Sequence, residues 1–169
     1  MSQLYIKDGV VIATHDDSAT VPPSTYGDGV LVVPVANYAP PAPAPGLPLV
    51  RTAPTPTSAL LISAIGAQRY YVETKGITVS GMAVATDRES QARVNGAYNY
   101  TQLNPTLTLQ FKTSVGFVTL TADQVKAVAQ AVAAHVQACF ALEGASVAAV
   151  TAGTITTWDH VAAIVWPTA

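Results

Sequence analysis

Residues 121–144 read TADQVKAVAQAVAAHVQACFALEG, and this run decides the fold class because it specifies a long helix with two different faces. Thr121 and Gln124 form a Thr-x-x-Gln capping box, in which each side chain can satisfy the other residue's backbone amide. Leu120 ahead of the cap and Val125 after it fit the hydrophobic staple that accompanies such a start. At 100° per residue, Val125, Val128, Ala129, Val132, Val136, Cys139, Phe140 and Glu143 fall in an arc about 120° wide, the face that meets a core. Gly144 offers the left-handed conformation that would close the helix. On the other side, Ala127, Ala131, Ala134 and Ala138 make a smooth surface where a solvated helix normally carries charge. Such a surface admits another helix at close range. The expected occupant is residues 146–152 folding back on it, with a neighbouring subunit as the alternative.

Working outward, the neighbouring segments read as hairpins and shorter helices. Leu107–Phe111 and Phe117–Leu120 alternate with period two around a loop containing Gly116, which places Leu107, Leu109 and Phe111 on one face. Thr86 or Asp87 caps a helix, with Glu89 three residues after Thr86; it would bury Val94, Ala97, Tyr98 and Thr101 and stop before Pro105. Ile77–Val79 and Met82–Val84 flank Ser80-Gly81 as a tight hairpin, and Tyr70-Tyr71-Val72-Glu73 reads as a strand. Near the C-terminus, Thr156-Thr157-Trp158-Asp159 opens a short helix whose Ile164 and Trp166 would face the core. The expected class is α+β: a short N-terminal β segment, a Pro-rich extended arm, and a C-terminal domain of β-hairpins packed with a long amphipathic helix and short helices.

Three stretches follow. Residues 1–36 hold Leu4–Lys7 and Val10–Ala13 around Asp8-Gly9, a strong two-residue hairpin signal, and Gly29–Val35 as a third strand that Pro34 confines to an edge. So small a segment makes a poor core alone and is expected to borrow stability from another chain or copy. Residues 37–66 read as a Pro-rich extended linker: ten of the twelve prolines lie between Pro22 and Pro56, and Ser18 to Gln68 contains only Asp28 and Arg51 as charged side chains. The run Ala39–Gly46 suits polyproline II. Residues 67–169 are the expected α+β domain.

Composition removes whole classes of function. With 169 residues, half of them hydrophobic and 11% charged, the chain is long enough for a real core and is no charge-rich disordered tail. A net charge of −2 lacks the basic footprint of a nucleic-acid binder. A single cysteine, Cys139, allows neither an internal disulfide nor a cysteine-based zinc site. No apolar run reads as long enough to span a bilayer, and the N-terminus lacks the basic and apolar regions of a signal peptide.

Candidate chemistry is thin. His15-Asp16-Asp17 reads as a solvated turn, His135 with Cys139 as a core-edge histidine beside a buried thiol, and Asp159-His160 as neighbours that do not face each other. Neither a Gly-x-Ser-x-Gly elbow nor a phosphate-binding glycine loop occurs. The tyrosine pairs Tyr70/Tyr71 and Tyr98/Tyr100 read as half-buried core. The reading expects no enzyme, no cofactor, no metal and no catalytic residues. The candidate partner-binding residues are Tyr5, Tyr26 and Tyr38 in the arm and Ala127, Ala131, Ala134 and Ala138 on the helix.

From Arg69 to Trp166 the chain resembles a domain family of formally unknown function found in tail-fibre and tail-assembly genes of tailed bacteriophages and prophages. The resemblance rests on Thr86-Asp87-Arg88-Glu89-Ser90-Gln91, Asn95-Gly96-Ala97, Gly116-Phe117-Val118-Thr119-Leu120-Thr121-Ala122, His135-Val136-Gln137-Ala138-Cys139-Phe140 with Glu143, and Trp166-Pro167. Phe111 stands where the family often has Trp, and Ser114-Val115-Gly116 replaces its usual aspartate-glycine turn. The resemblance implies a structural component of a phage tail, an adaptor, hinge or fibre subunit linking fibre to baseplate and supporting host attachment. The alternative is a fibre-assembly chaperone that does not stay in the particle. Implied partners are fibre and baseplate subunits and further copies of the chain, such as a trimer, with no nucleic acid and no membrane insertion. The implied location is the virion, after synthesis in the host cytoplasm.

Overall fold

Antiparallel hairpins and helices alternate along the chain, as the turn and cap signals require. The computed structural model describes residues 2–7, 10–15, 31–35, 55–113 and 116–168. Strands β1 (Ser2–Lys7), β2 (Val10–His15) and β3 (Leu31–Val35) precede helix α1 (Ser58–Thr74), hairpin β4 (Ile77–Val79) and β5 (Met82–Val84), and helix α2 (Arg88–Leu103). Hairpin β6 (Thr108–Thr113) and β7 (Gly116–Thr121) then leads into α3 (Ala122–Thr151), and α4 (Trp158–Ala162) follows. The class is α+β, as expected.

The chain forms two compact units: the first of residues 1–69 and 143–165, the second of residues 70–142 and 166–169. In the second unit, Ser80 and Gly81 both take positive φ, 51° and 80°, which is the signature of the primed turn that joins β4 to β5. β6 pairs with β7 from Thr108↔Thr121 to Thr113↔Gly116. Ile77, Val84, Val94, Leu120, Val125, Val128 and Val132 form the core, and Leu109, Phe111, Ala97 and Tyr98 pack against it. Each fully buried valine or leucine there contributes about 1.5–3 kcal/mol. Both ends of α2 hold as the sequence indicates: Asp87 is the N-cap, Asn104 the C-cap, and Val94 and Thr101 are buried.

In the first unit the sheet order is β2-β1-β3, with Lys7 opposite Val10 across the expected two-residue loop and Pro34 on an outer strand. Ile6, Leu61, Ala64, Ile65, Ser146, Val150, Trp158 and Val161 are buried. α4 lies against β3. The N-terminal sheet shares a compact unit with residues 143–165.

Four expectations are corrected. Tyr70–Glu73 is the last turn of α1, not a strand: the spacing of buried Leu61, Ala64, Ile65 and Val72 is helical and overrides the β-propensity of two tyrosines and a valine. For the same reason the division at 66/67 falls inside α1, and residues 58–66 of the expected linker are helix, started by Thr57, whose Oγ1 accepts from Leu60 N at 3.3 Å. Gly144 does not end α3. Its helical cost of about 1 kcal/mol is outweighed by the alanines around it and by Ser146 and Val150, which carry the buried face onward. Residues 146–151 therefore continue the helix and do not fold back on the alanines. The closure comes at Gly153, φ 75°, where Gly153 N donates to Val150 O at 3.1 Å and Thr154 N to Ala149 O at 2.9 Å, a Schellman motif. Lastly, the buried residues of α4 are Trp158 and Val161; Ile164 and Trp166 lie beyond the helix and are half-buried.

Because α3 runs to Thr151, it is long and apolar enough by length and composition to cross a membrane, which no run in the sequence had indicated. Its Val125, Val128 and Val132 sit in the core of the second unit, and its Val150 is buried in the first.

Candidate functional site

The first residues of α3 fix which face it turns outward. Thr121 N donates to Gln124 Oε1 at 2.9 Å and Gln124 N to Thr121 Oγ1 at 3.3 Å, so the capping box forms in both directions. From that start, Val125, Val128, Val132, His135 and Cys139 are buried one after another. His135 ties α3 to the last turn of α1: its Nε2 donates to the carbonyl of Val72 at 3.0 Å, and Cys139 Sγ lies 3.8 Å from the same nitrogen. Phe140, assigned to the inward arc, sits at its edge and is 45% exposed.

With that stripe inward, the alanines point out. Ala127, Ala134 and Ala138 are exposed, while Ala131 is half-buried and packs against the core. The candidate face is thus three open positions and one shared with the core. Sequence reasoning missed that it continues: Ala141 is exposed as well, and the alternating four-three spacing of 127, 131, 134, 138 and 141 runs on along α3 at Ala145 and Ala148. The signal was present in the sequence, but it was hidden by the assumption that Gly144 stops the helix. From Ala127 to Thr151 the single charged side chain is Glu143, and Arg69 Nε pairs with its Oε2 at 3.0 Å. A helix face without charge, built of side chains one carbon long, has little to offer to catalysis and suits close backbone approach.

Of the arm tyrosines, Tyr5 belongs to β1, and Tyr26 and Tyr38 lie outside the described residues.

The remaining candidates resolve into structural roles. Thr86 is fully buried; its hydroxyl donates to Glu73 O and accepts from Gly76 N at 2.9 Å, while Gln91 Nε2 reaches Thr86 O at 2.7 Å and Glu73 Oε1 at 3.2 Å. The cap falls to Asp87, whose Oδ1 accepts from Ser90 N at 3.0 Å and Oδ2 from Ser90 Oγ at 2.6 Å. The hydroxyl and then the amide of Ser90 hold the Asp87 carboxyl below the usual carboxylate range. Glu89, expected as a reciprocal cap, instead pairs with Arg93. Thr157 caps α4, its Oγ1 accepting from His160 N at 3.2 Å, and His160 Nδ1 accepts from Thr156 N at 3.2 Å. His15 ends β2, and Asp16 and Asp17 lie outside the described residues. Among the described residues, no three His, Cys, Asp or Glu side chains gather as metal ligands would.

No curated protein and no solved structure matches this chain. A family model does, over residues 56–165, opening just ahead of α1 and running past α4. The chain belongs to that family, described as a domain of unknown function, DUF4376.

Proposed function

We propose that this protein is a structural component of a tailed-phage tail, an adaptor, hinge or fibre subunit that links the fibre to the baseplate and supports host attachment. The observation that carries the proposal is the exposed, uncharged alanine face of α3 at Ala127, Ala134, Ala138 and Ala141. Lasting interfaces are depleted in charge at their centres, whereas a partner that must let go keeps a more polar contact. The motif resemblance of Thr86–Gln91 and His135–Phe140 to tail genes supplies the setting. The partners are fibre and baseplate subunits and further copies of the chain, in a virion assembled from protein made in the host cytoplasm. Neither an enzymatic step nor nucleic-acid binding nor membrane insertion enters this role.

Quantitative mass spectrometry of gradient-purified particles tests it. The protein is expected at a fixed ratio to the fibre, and an Ala134→Glu variant that still folds is expected to drop out of the particle. Presence in infected-cell lysate with absence from particles would replace this reading with a fibre-assembly chaperone.

A further inference from the structure

We infer that the cleft between α2 and the β6–β7 hairpin is a binding site for a carboxylated sugar ring. The cleft has a volume of about 480 Å³, within the range of small-ligand sites. It lies wholly within the second unit, no residue of α3 lines it, and the inference does not depend on the tail reading.

Its chemistry is one-sided. Arg93 from α2 and Lys112 from β6 both line it, and no carboxylate does. The Lys112 side chain has no hydrogen-bond or ion-pair partner among the described residues. Arg93 pairs with Glu89 on an open surface, with the two side chains 65% and 75% exposed, an arrangement that contributes little and leaves the guanidinium able to turn to a buried anion. Across the strand pair from Lys112 stands Phe117, 72% exposed. An aromatic ring left in water forgoes most of its burial free energy, and an apolar ligand face would recover it.

Gln110 and Ser90 can both accept between these walls. Gln110 donates through Nε2 to Thr119 Oγ1 at 2.8 Å and keeps its carbonyl oxygen and a second N–H; Ser90 spends its hydroxyl proton on Asp87 and keeps its lone pairs. Sugar hydroxyls, which donate as well as accept, match this mixed set. Two cations for one carboxylate, an aromatic face for the ring's C–H face and two hydroxyl acceptors together describe a uronic-acid type of ligand.

The test is a titration of the full chain with glucuronate, glucose and acetate, followed by backbone amide NMR. Glucuronate is expected to bind saturably, shifting the amides of Lys112 and Phe117, at least tenfold more tightly than glucose or acetate. Lys112→Met and Phe117→Ala, both at exposed positions, are each expected to weaken it about tenfold or more, while Lys126→Met, which removes the same charge outside the cleft, leaves it unchanged. Absence of saturable shifts overturns the inference. So does acetate binding as well as glucuronate, or Lys126→Met weakening binding as much as Lys112→Met, since either outcome means only a diffuse attraction of anions.

Discussion

Thr86 and Asp87 are adjacent and polar, yet they stabilise the fold by different means. Thr86 is buried and shares its hydroxyl between Glu73 O and Gly76 N. Thr86→Val keeps the shape and strands a backbone amide and a carbonyl, so a loss of about 1–3 kcal/mol is expected in denaturant unfolding. Asp87 is exposed and acts as a cap; Asp87→Ala is expected to cost about 1 kcal/mol. Its pH dependence has a definite direction. The native carboxyl titrates below the ordinary value near 3.9, so its contribution is complete above that value and disappears as the pH falls through the lower native one. Unfolding curves from pH 6 down to pH 2 should show a shallower acid loss in Asp87→Ala than in the parent. An equal slope in both would remove the carboxylate from the account.

Along single elements, the sequence was legible where a local signal had one structural outcome. Ser80-Gly81 between two short apolar runs gives a primed turn, and Thr121 with Gln124 gives the start of α3, since both are settled by neighbours within a few residues. Gly144 was not legible, because glycine either closes a helix or is carried through it, and the choice rests on Ser146 and Val150 being buried farther along. Tyr70–Glu73 failed for a related reason: strand propensity is local, while the helical period set by Leu61, Ala64 and Ile65 begins nine residues earlier, in a stretch whose prolines and lack of charge suggested a linker. Gly144→Ala discriminates the two roles of that glycine. A Cβ there meets nothing within 4 Å, so the substitution is expected to stabilise by about 0.5–1 kcal/mol in thermal or denaturant unfolding. At a left-handed cap it would destabilise instead.

At the scale of the whole molecule, chain order and compact units part company. The first unit takes residues from both ends of the sequence, 1–69 and 143–165, and no pattern within either stretch announces the other. Residue patterns can name faces but not which distant faces meet, and for that reason the alanine face could be read in advance while its freedom from residues 146–152 could not. Trp158, 6% exposed in α4, reports on this arrangement. Trp158→Ala is expected to cost about 3–5 kcal/mol. Hydrogen exchange should show the loss in β3 and the end of α3, with the amides of β4–β5 and β6–β7 keeping their protection. Equal loss throughout would mean that the two units unfold as one.

The alanine face also carries a thermodynamic consequence. Alanine has no side-chain rotamers, so ordering this surface against another backbone sacrifices no side-chain entropy, where a surface of lysines or glutamines would sacrifice up to about 2 kcal/mol per residue. The same brevity means that each position covers little area. Association through such a face therefore depends on how many successive alanines engage together, and its strength should fall abruptly, not gradually, when one bulky side chain lifts the two helices apart.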